Sequence, residues 1–142
     1  MIHDVLITPL KIIETSGGNV LHSLKNTDSG FNGFGEAYFS EIEPKAIRAW
    51  KLHKSMTLNI TVPIGKIKFV LYDERIKSHC VFQEFTMSRI NYSRLTIPPM
   101  IWLGFQGLAN SNSLLLNIAD ISHNAKEFIR RDLNEIDYEW SK

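Results

Sequence analysis

Cysteine is almost missing from this chain: Cys80 is the only one among 142 residues. No internal disulfide can form, and a lone thiol fits a reducing compartment better than secretion. Its place at the head of the apolar stretch Cys80–Met87 predicts a buried side chain. Long hydrophobic runs are missing too. Nothing reaches the roughly 20 apolar residues that a membrane helix needs, and Pro9 and Lys11 interrupt the apolar start before it attains the length of a signal segment. The expectation is a cytoplasmic chain without a membrane partner. Charge of one sign is not in excess, with 16 Lys and Arg against 15 Asp and Glu. No global field therefore draws nucleic acid, and an anionic ligand must be met by a local cluster.

Several motif classes are absent as well. A phosphate-binding glycine loop requires a strand feeding a helix, whereas Gly33-Phe34-Gly35 opens a strand. No Gly-x-Ser-x-Gly elbow occurs. A metal cage needs two or three ligands at strand spacing. His53 has only Lys51 and Ser55 as same-face neighbours, and His3, His22, His79 and His123 are scattered. No metal and no other cofactor is expected. Acid and base work by histidine and carboxylates is what remains.

What the chain does contain is a succession of short stretches rich in Val, Ile, Phe and Tyr, divided by Gly, Pro, Asn and Ser. They predict strands at Val5–Thr8, Lys11–Thr15, Val20–Leu24, Phe34–Ile42, Ala46–His53, Met56–Val62, Lys66–Tyr72, Cys80–Met87, Leu95–Ile97, Trp102–Gln106 and Leu114–Ile118. Ser16-Gly17-Gly18-Asn19, Pro63-Ile64-Gly65 and Pro98-Pro99 supply the turns between them. So many short strands imply a sandwich or barrel in a single domain over 1–142. The best helical segment is Ala125–Leu133, with Phe128 and Ile129 facing inward and Asp120 or Ser122 as cap.

Strand parity on Lys45–His53 puts Ile47, Ala49, Lys51 and His53 on one face and Arg48, Trp50 and Leu52 on the other. A Lys and a His among small residues fit either the lining of a polar cavity or an exposed edge. Trp50, Tyr72, Trp102 and Phe105 can wall a ring-shaped ligand or fill the core, with the core favoured for the last two. Lys51, Lys54, Lys66 and Lys68 fall on adjacent strands, where they meet a diphosphate or form a solvated face.

The order of motifs resembles the dTDP-4-dehydrorhamnose 3,5-epimerase family. Phe34-Gly35-Glu36-Ala37-Tyr38 is similar to that family's early F-x-E-x-Y/F strand, and Trp50-Lys51-Leu52-His53 to its Arg-Gly-Leu-His. Gly65 followed by Val70 to Ser78 resembles a Gly and then D-V-x-V-D-x-R-x-x-S; Ile97 to Phe105 resembles I-P-P-G-F-A-H-G-F; Ile129 to Trp140 resembles the closing I-x-W-N-D-P and I-x-W. The chain departs from the pattern at Leu103, where the family has its second histidine, at Thr57 and Leu58 near its lysine, at Leu116 or Asn117, where its tyrosine acid falls, and at Trp50 in place of arginine.

The resemblance implies an all-β fold, a cupin-like jelly-roll β-barrel, here with one short helix near the C-terminus. It also implies a homodimer and a nucleotide-sugar substrate whose 4-keto group acidifies the neighbouring C–H bonds, in surface polysaccharide synthesis. His53 becomes the enolising base and Asp132 the carboxylate that fixes its tautomer. Lys51 or Asn59 is expected to steady the enolate, and Trp50, Tyr72, Asn117 and His123 to contact substrate, with His123, Tyr72 or Asp120 returning the proton. Two alternatives stand beside this: a catalytically silent barrel that binds a sugar nucleotide or partner, and a 3,4-keto isomerase.

Overall fold

In the computed structural model, which describes residues 1–140, the β-branched stretches all become strands. In chain order they are β1 Leu6–Pro9, β2 Ile12–Thr15, β3 Gly18–Leu21, β4 Glu36–Ile42, β5 Ile47–His53, β6 Leu58–Ile64, β7 Ile67–Asp73, β8 Val81–Met87, β9 Ser93–Ile97, β10 Trp102–Gly107, β11 Ser113–Ala119 and β12 Phe128–Arg130. The eleven expected strands are β1 to β11, with ends moved by a few residues. Two five-stranded antiparallel sheets, ordered β1-β9-β6-β11-β4 and β12-β5-β10-β7-β8, make a jelly-roll sandwich with open edges, and β2-β3 forms a separate hairpin.

Alternation along each strand divides the apolar residues between two clusters. Leu58, Ile60 and Val62 of β6 and Leu95 and Ile97 of β9 meet Ile67, Phe69 and Leu71 of β7 between the sheets. Each such side chain, once fully buried, contributes about 1.5–3 kcal/mol. The intervening residues of the second sheet point the other way: Trp50, Leu52, Val70 and Trp102 form a second cluster, covered by Ile136, Tyr138 and Trp140 of the tail. Gly65 turns β6 into β7 at φ +82°, and a Cβ there would lie 2.7 Å from Cβ of Ser113, so only glycine fits.

Two expectations fail here. The segment read as helix carries β12, which pairs antiparallel with β5 through Phe128↔His53, Ile129↔Leu52 and Arg130↔Lys51. The edge of β5 left its backbone groups open, and pairing them outweighed a weak local helical preference. The only helical element among the described residues is a 3-10 turn, Leu133–Glu135. Cys80 is exposed rather than buried, because it precedes β8 instead of lying in it.

Candidate active site

Between the sheets lies a cavity of about 420 Å³. Its apolar side is made by Leu58, Ile60, Phe69, Leu103, Phe105 and Leu115, and its polar side by Tyr38, Lys51, His53 and Asn117. The second sheet supplies Lys51 and His53 from β5; the first supplies Tyr38 from β4 and Asn117 from β11. The two walls thus carry different chemistry toward the same space.

His53 is 7% exposed, and its Nδ1–H donates to Oε1 of Glu127 at 2.6 Å. Glu127 is itself immobilised: Oε2 accepts from the backbone N–H of Ser55 at 2.9 Å and of Met56 at 3.0 Å, and its carbonyl accepts from Lys54 N–H at 2.7 Å. Burial alone would raise the Glu127 carboxyl pKa, but the His53 contact and the two amides hold it below the usual range. Burial pushes the imidazole below its ordinary pKa, against the opposing pull of Glu127. The ring is therefore neutral near pH 7, with the proton on Nδ1 and a free lone pair on Nε2. Glu127 does not border the cavity while His53 does, so the ring presents its basic edge to that space.

On the facing wall, Asn117 Nδ2 donates to the Tyr38 hydroxyl at 3.0 Å, across the register pair Asn117↔Tyr38. Asn117 Oδ1 is buried and has no partner, although a buried amide oxygen left unpaired is costly. At the rim, Arg48 lies over the Phe105 ring at 5.2 Å, and Arg130 over Phe128 at 5.3 Å. Lys51 Nζ sits 4.1 Å from the centroid of the same Phe128 ring. Among the described residues no group of three His, Cys, Asp or Glu could hold a metal ion, and no helix is long and apolar enough to cross a membrane.

No protein-family model matches the chain. A dTDP sugar isomerase from Desulfovibrio desulfuricans G20 is 38% identical, superposes with a TM-score of 0.89, and is matched over 93% of this chain and 86% of its own. This chain belongs to the dTDP-sugar isomerase and epimerase family. A probable low-salt glycan biosynthesis epimerase, Agl13 of Haloferax volcanii, is 28% identical over 120 residues, which is 82% of this chain and 77% of that protein. The dTDP-6-deoxy-D-glucose-3,5-epimerase RmlC of Legionella pneumophila, solved with dTDP-4-keto-L-rhamnose, shares the fold at 17% identity and a TM-score of 0.78, over 94% of this chain and 75% of its own.

Against that family background, several expected site residues move. The carboxylate on His53 is Glu127, not Asp132; Asp132 borders the cavity beyond the end of β12 and caps the 3-10 turn, where its backbone N–H donates to Glu135. Asn59 faces away from the cavity, with Nδ2 donating to Gly30 O at 3.0 Å and Oδ1 accepting from Thr96 Oγ1 at 2.6 Å. Tyr72 stacks on Phe82 at 4.5 Å outside the sandwich. Trp50 reaches the cavity edge, but its indole belongs to the second cluster and donates Nε1–H to Leu133 O at 3.2 Å. Asp120 is occupied by Thr57 N–H and Asn32. Trp102 is core, as expected, and Phe105 packs against the core while bordering the cavity.

Lys51 and Asn117 do border the cavity; His123 does not, and its exposed ring lies 5.3 Å from that of Phe128. The expected lysine cluster divides: Lys68 turns to Glu84 and to the Tyr138 and Trp140 rings. Glu127, Tyr38 and Arg48 were missed. Arg48 was assigned to the wrong face because the β5–β10 register shifts between Leu103 and Gly104. That bulge reverses parity and pairs Arg48 with the cavity-side Phe105. Glu127 fell in the segment read as helix, so no strand parity pointed to it.

Proposed function

We propose that this chain is an epimerase of a nucleotide-linked 4-keto-6-deoxy sugar, working by enolisation beside the keto group, in the assembly of a surface glycan. The reading rests on one observation above all: a buried His53 whose tautomer is fixed by Glu127 and whose basic edge meets a cavity. Nε2 takes the proton from the carbon next to the ketone, the C–H electron pair becomes the enolate double bond, and the carbonyl pair moves to oxygen. Glu127 stabilises the imidazolium so formed. Tyr38, on the opposite wall, is placed to return a proton from the other face, which inverts that carbon. The exposed cations Arg48 and Arg130 suit a diphosphate that remains partly hydrated.

The relatives agree in substance: one is a dTDP sugar isomerase, another a probable epimerase of glycan biosynthesis. A second copy would cover the exposed Phe39 of the edge strand β4 and Phe34 just before it, so the working unit is taken as a homodimer. The silent-barrel alternative leans on Leu103 and Leu116, but the intact base pair and the Tyr38 phenol weigh against it. Incubation with dTDP-4-keto-6-deoxyglucose, followed by proton NMR of the sugar, tests the reading. A product with altered ring coupling constants at C3 or C5 supports it. A product with its ketone at C3 makes the enzyme a keto isomerase, and an unchanged sugar across dTDP, UDP, GDP and CDP substrates removes the enzymatic reading.

A further inference from the structure

Asn32-Gly33 is the one place in the sequence where glycine follows asparagine. The pair lies in the loop before β4, outside every strand, with Asn32 exposed. The glycine has no side chain to shield its amide nitrogen, and that N–H has no acceptor among the described residues. Asn32 is tied to the fold through its side chain. Its Nδ2 donates to Asp120 Oδ2 at 2.9 Å, while Asp120 Oδ1 accepts from the Thr57 N–H at 2.8 Å. Thr57 directly follows Ser55 and Met56, whose amides hold Glu127. The loop has no room to shift on this side: Gly35 N–H donates to Ala119 O at 2.8 Å, and a Cβ on Gly35 would lie 2.0 Å from the backbone carbonyl carbon of Ile121.

We propose that Asn32 is a self-modification site: it deamidates through attack of the Gly33 nitrogen, and the carboxylate left facing Asp120 loosens the segment whose amides hold Glu127. The Gly33 nitrogen, on losing its proton to hydroxide, bonds to Cγ of Asn32. The Cγ–Nδ2 bond breaks and ammonia departs, leaving a five-membered imide. Water opens the ring at Cγ, which gives aspartate, or at the backbone carbonyl, which gives isoaspartate. Overall one water enters and one ammonia leaves. The contact with Asp120 engages only the amide nitrogen, so the exposed side chain reaches the attack geometry once that one surface hydrogen bond breaks. The product puts an acceptor where there was a donor. Two carboxylates then meet at hydrogen-bond distance and repel. Asp120 turns from that contact at the expense of its other one, to the amide of the buried Thr57. The modification stands on its own chemistry, and only its effect on turnover rests on the enolising reading above.

The test is peptide mapping by mass spectrometry of the whole chain after incubation at alkaline and at mildly acidic pH, joined to thermal melts and turnover of dTDP-4-keto-6-deoxyglucose. Asn32 should convert before any other asparagine and faster at alkaline pH, its peptide heavier by the difference between an oxygen and an NH group. Asn110 and Asn112, exposed and followed by serine, are the internal controls. Asn32→Gln, which closes such a ring far more slowly, should suppress conversion at that residue. Asn32→Asp supplies the product without incubation. It should melt a few degrees below wild type and turn over roughly tenfold more slowly. Asn32→Asp combined with Asp120→Asn, which again sets an amide against a carboxylate, should recover both. An Asn32 amide that survives while Asn110 or Asn112 converts overturns the site. An Asn32→Asp protein that melts as wild type does, or whose loss the Asp120→Asn partner leaves uncorrected, overturns the link to Asp120. If wild type leaves the keto sugar unchanged, the enolising reading falls, and the mass and melting results still decide the modification.

Discussion

Asn59 and Asn117 stand on neighbouring strands, with Asn59 opposite Ile118 and Asn117 opposite Ile60 in the β6–β11 ladder, and they face opposite sides of the first sheet. Asn59 uses both ends of its amide on protein atoms, Gly30 O and Thr96 Oγ1. Asn117 uses one end on Tyr38 and leaves its oxygen without a partner. The same contrast recurs with charged groups. Arg94 is fully buried on the outer side, and its terminal nitrogens serve Ser23 O at 2.7 Å, Asp28 at 3.2 Å and Ser29 O at 3.0 Å, strapping the loop before β4 onto the sheet. His53 is almost as buried, yet it commits only Nδ1. Buried polar groups whose ends are spent on protein atoms, as both ends of the Asn59 amide and both terminal nitrogens of Arg94 are, hold the fold together. Those with one end turned to a cavity are available for chemistry.

Substitutions should separate these two regions cleanly. His53→Asn should lower turnover by roughly 10³-fold, since a general base is worth about 10²–10⁴, while the melting temperature moves only a few degrees because the new amide can still donate to Glu127. Arg94→Ala should do the reverse, costing about 3 kcal/mol in denaturant unfolding with kcat per folded molecule unchanged. A loss of kcat in Arg94→Ala without loss of stability would break the comparison.

Glu127→Gln should reduce kcat by roughly 10²-fold, through loss of the fixed tautomer and of imidazolium stabilisation. It also carries a pH signature. Wild-type His53 has its pKa lowered by burial and partly restored by Glu127. The acid limb of kcat/KM should therefore lie below pH 6.5, and removing the Glu127 charge should carry it lower still. An acid limb that rises in the variant would contradict this pairing. Asn59→Ala should cost about 1–3 kcal/mol by orphaning the Thr96 hydroxyl and the Gly30 carbonyl, without touching KM. Asn117→Ala should show the smallest effect, roughly a tenfold rise in KM with stability within about 1 kcal/mol, since its unpaired oxygen is already unsatisfied in the free protein.

The division between the two regions was only partly legible in the sequence. β-Branched runs cut by turn residues gave away nearly every strand, because burial on alternate faces imposes that pattern directly. His53 and Lys51 were legible by parity, and the resemblance supplied the chemistry. Asn59 and Asn117 look alike in sequence; only the register of β6 against β11 tells which faces inward. Arg48 was hidden by a bulge that no periodicity announces. Glu127 was hidden because β12, three residues long, exists only where the edge of β5 offers it a partner. A pairing decided by tertiary contact leaves little local trace.

On the reading proposed above, the open edge of His53, backed by Glu127, enolises a keto sugar. The most direct measurement is deuterium incorporation from heavy water into a bound 4-keto-6-deoxy sugar nucleotide, followed by NMR in wild type and in His53→Asn at saturating substrate. Incorporation is expected at the carbon beside the ketone in wild type and none above background in the variant, with nucleotide affinity unchanged. Equal incorporation in both proteins would place the base elsewhere than His53.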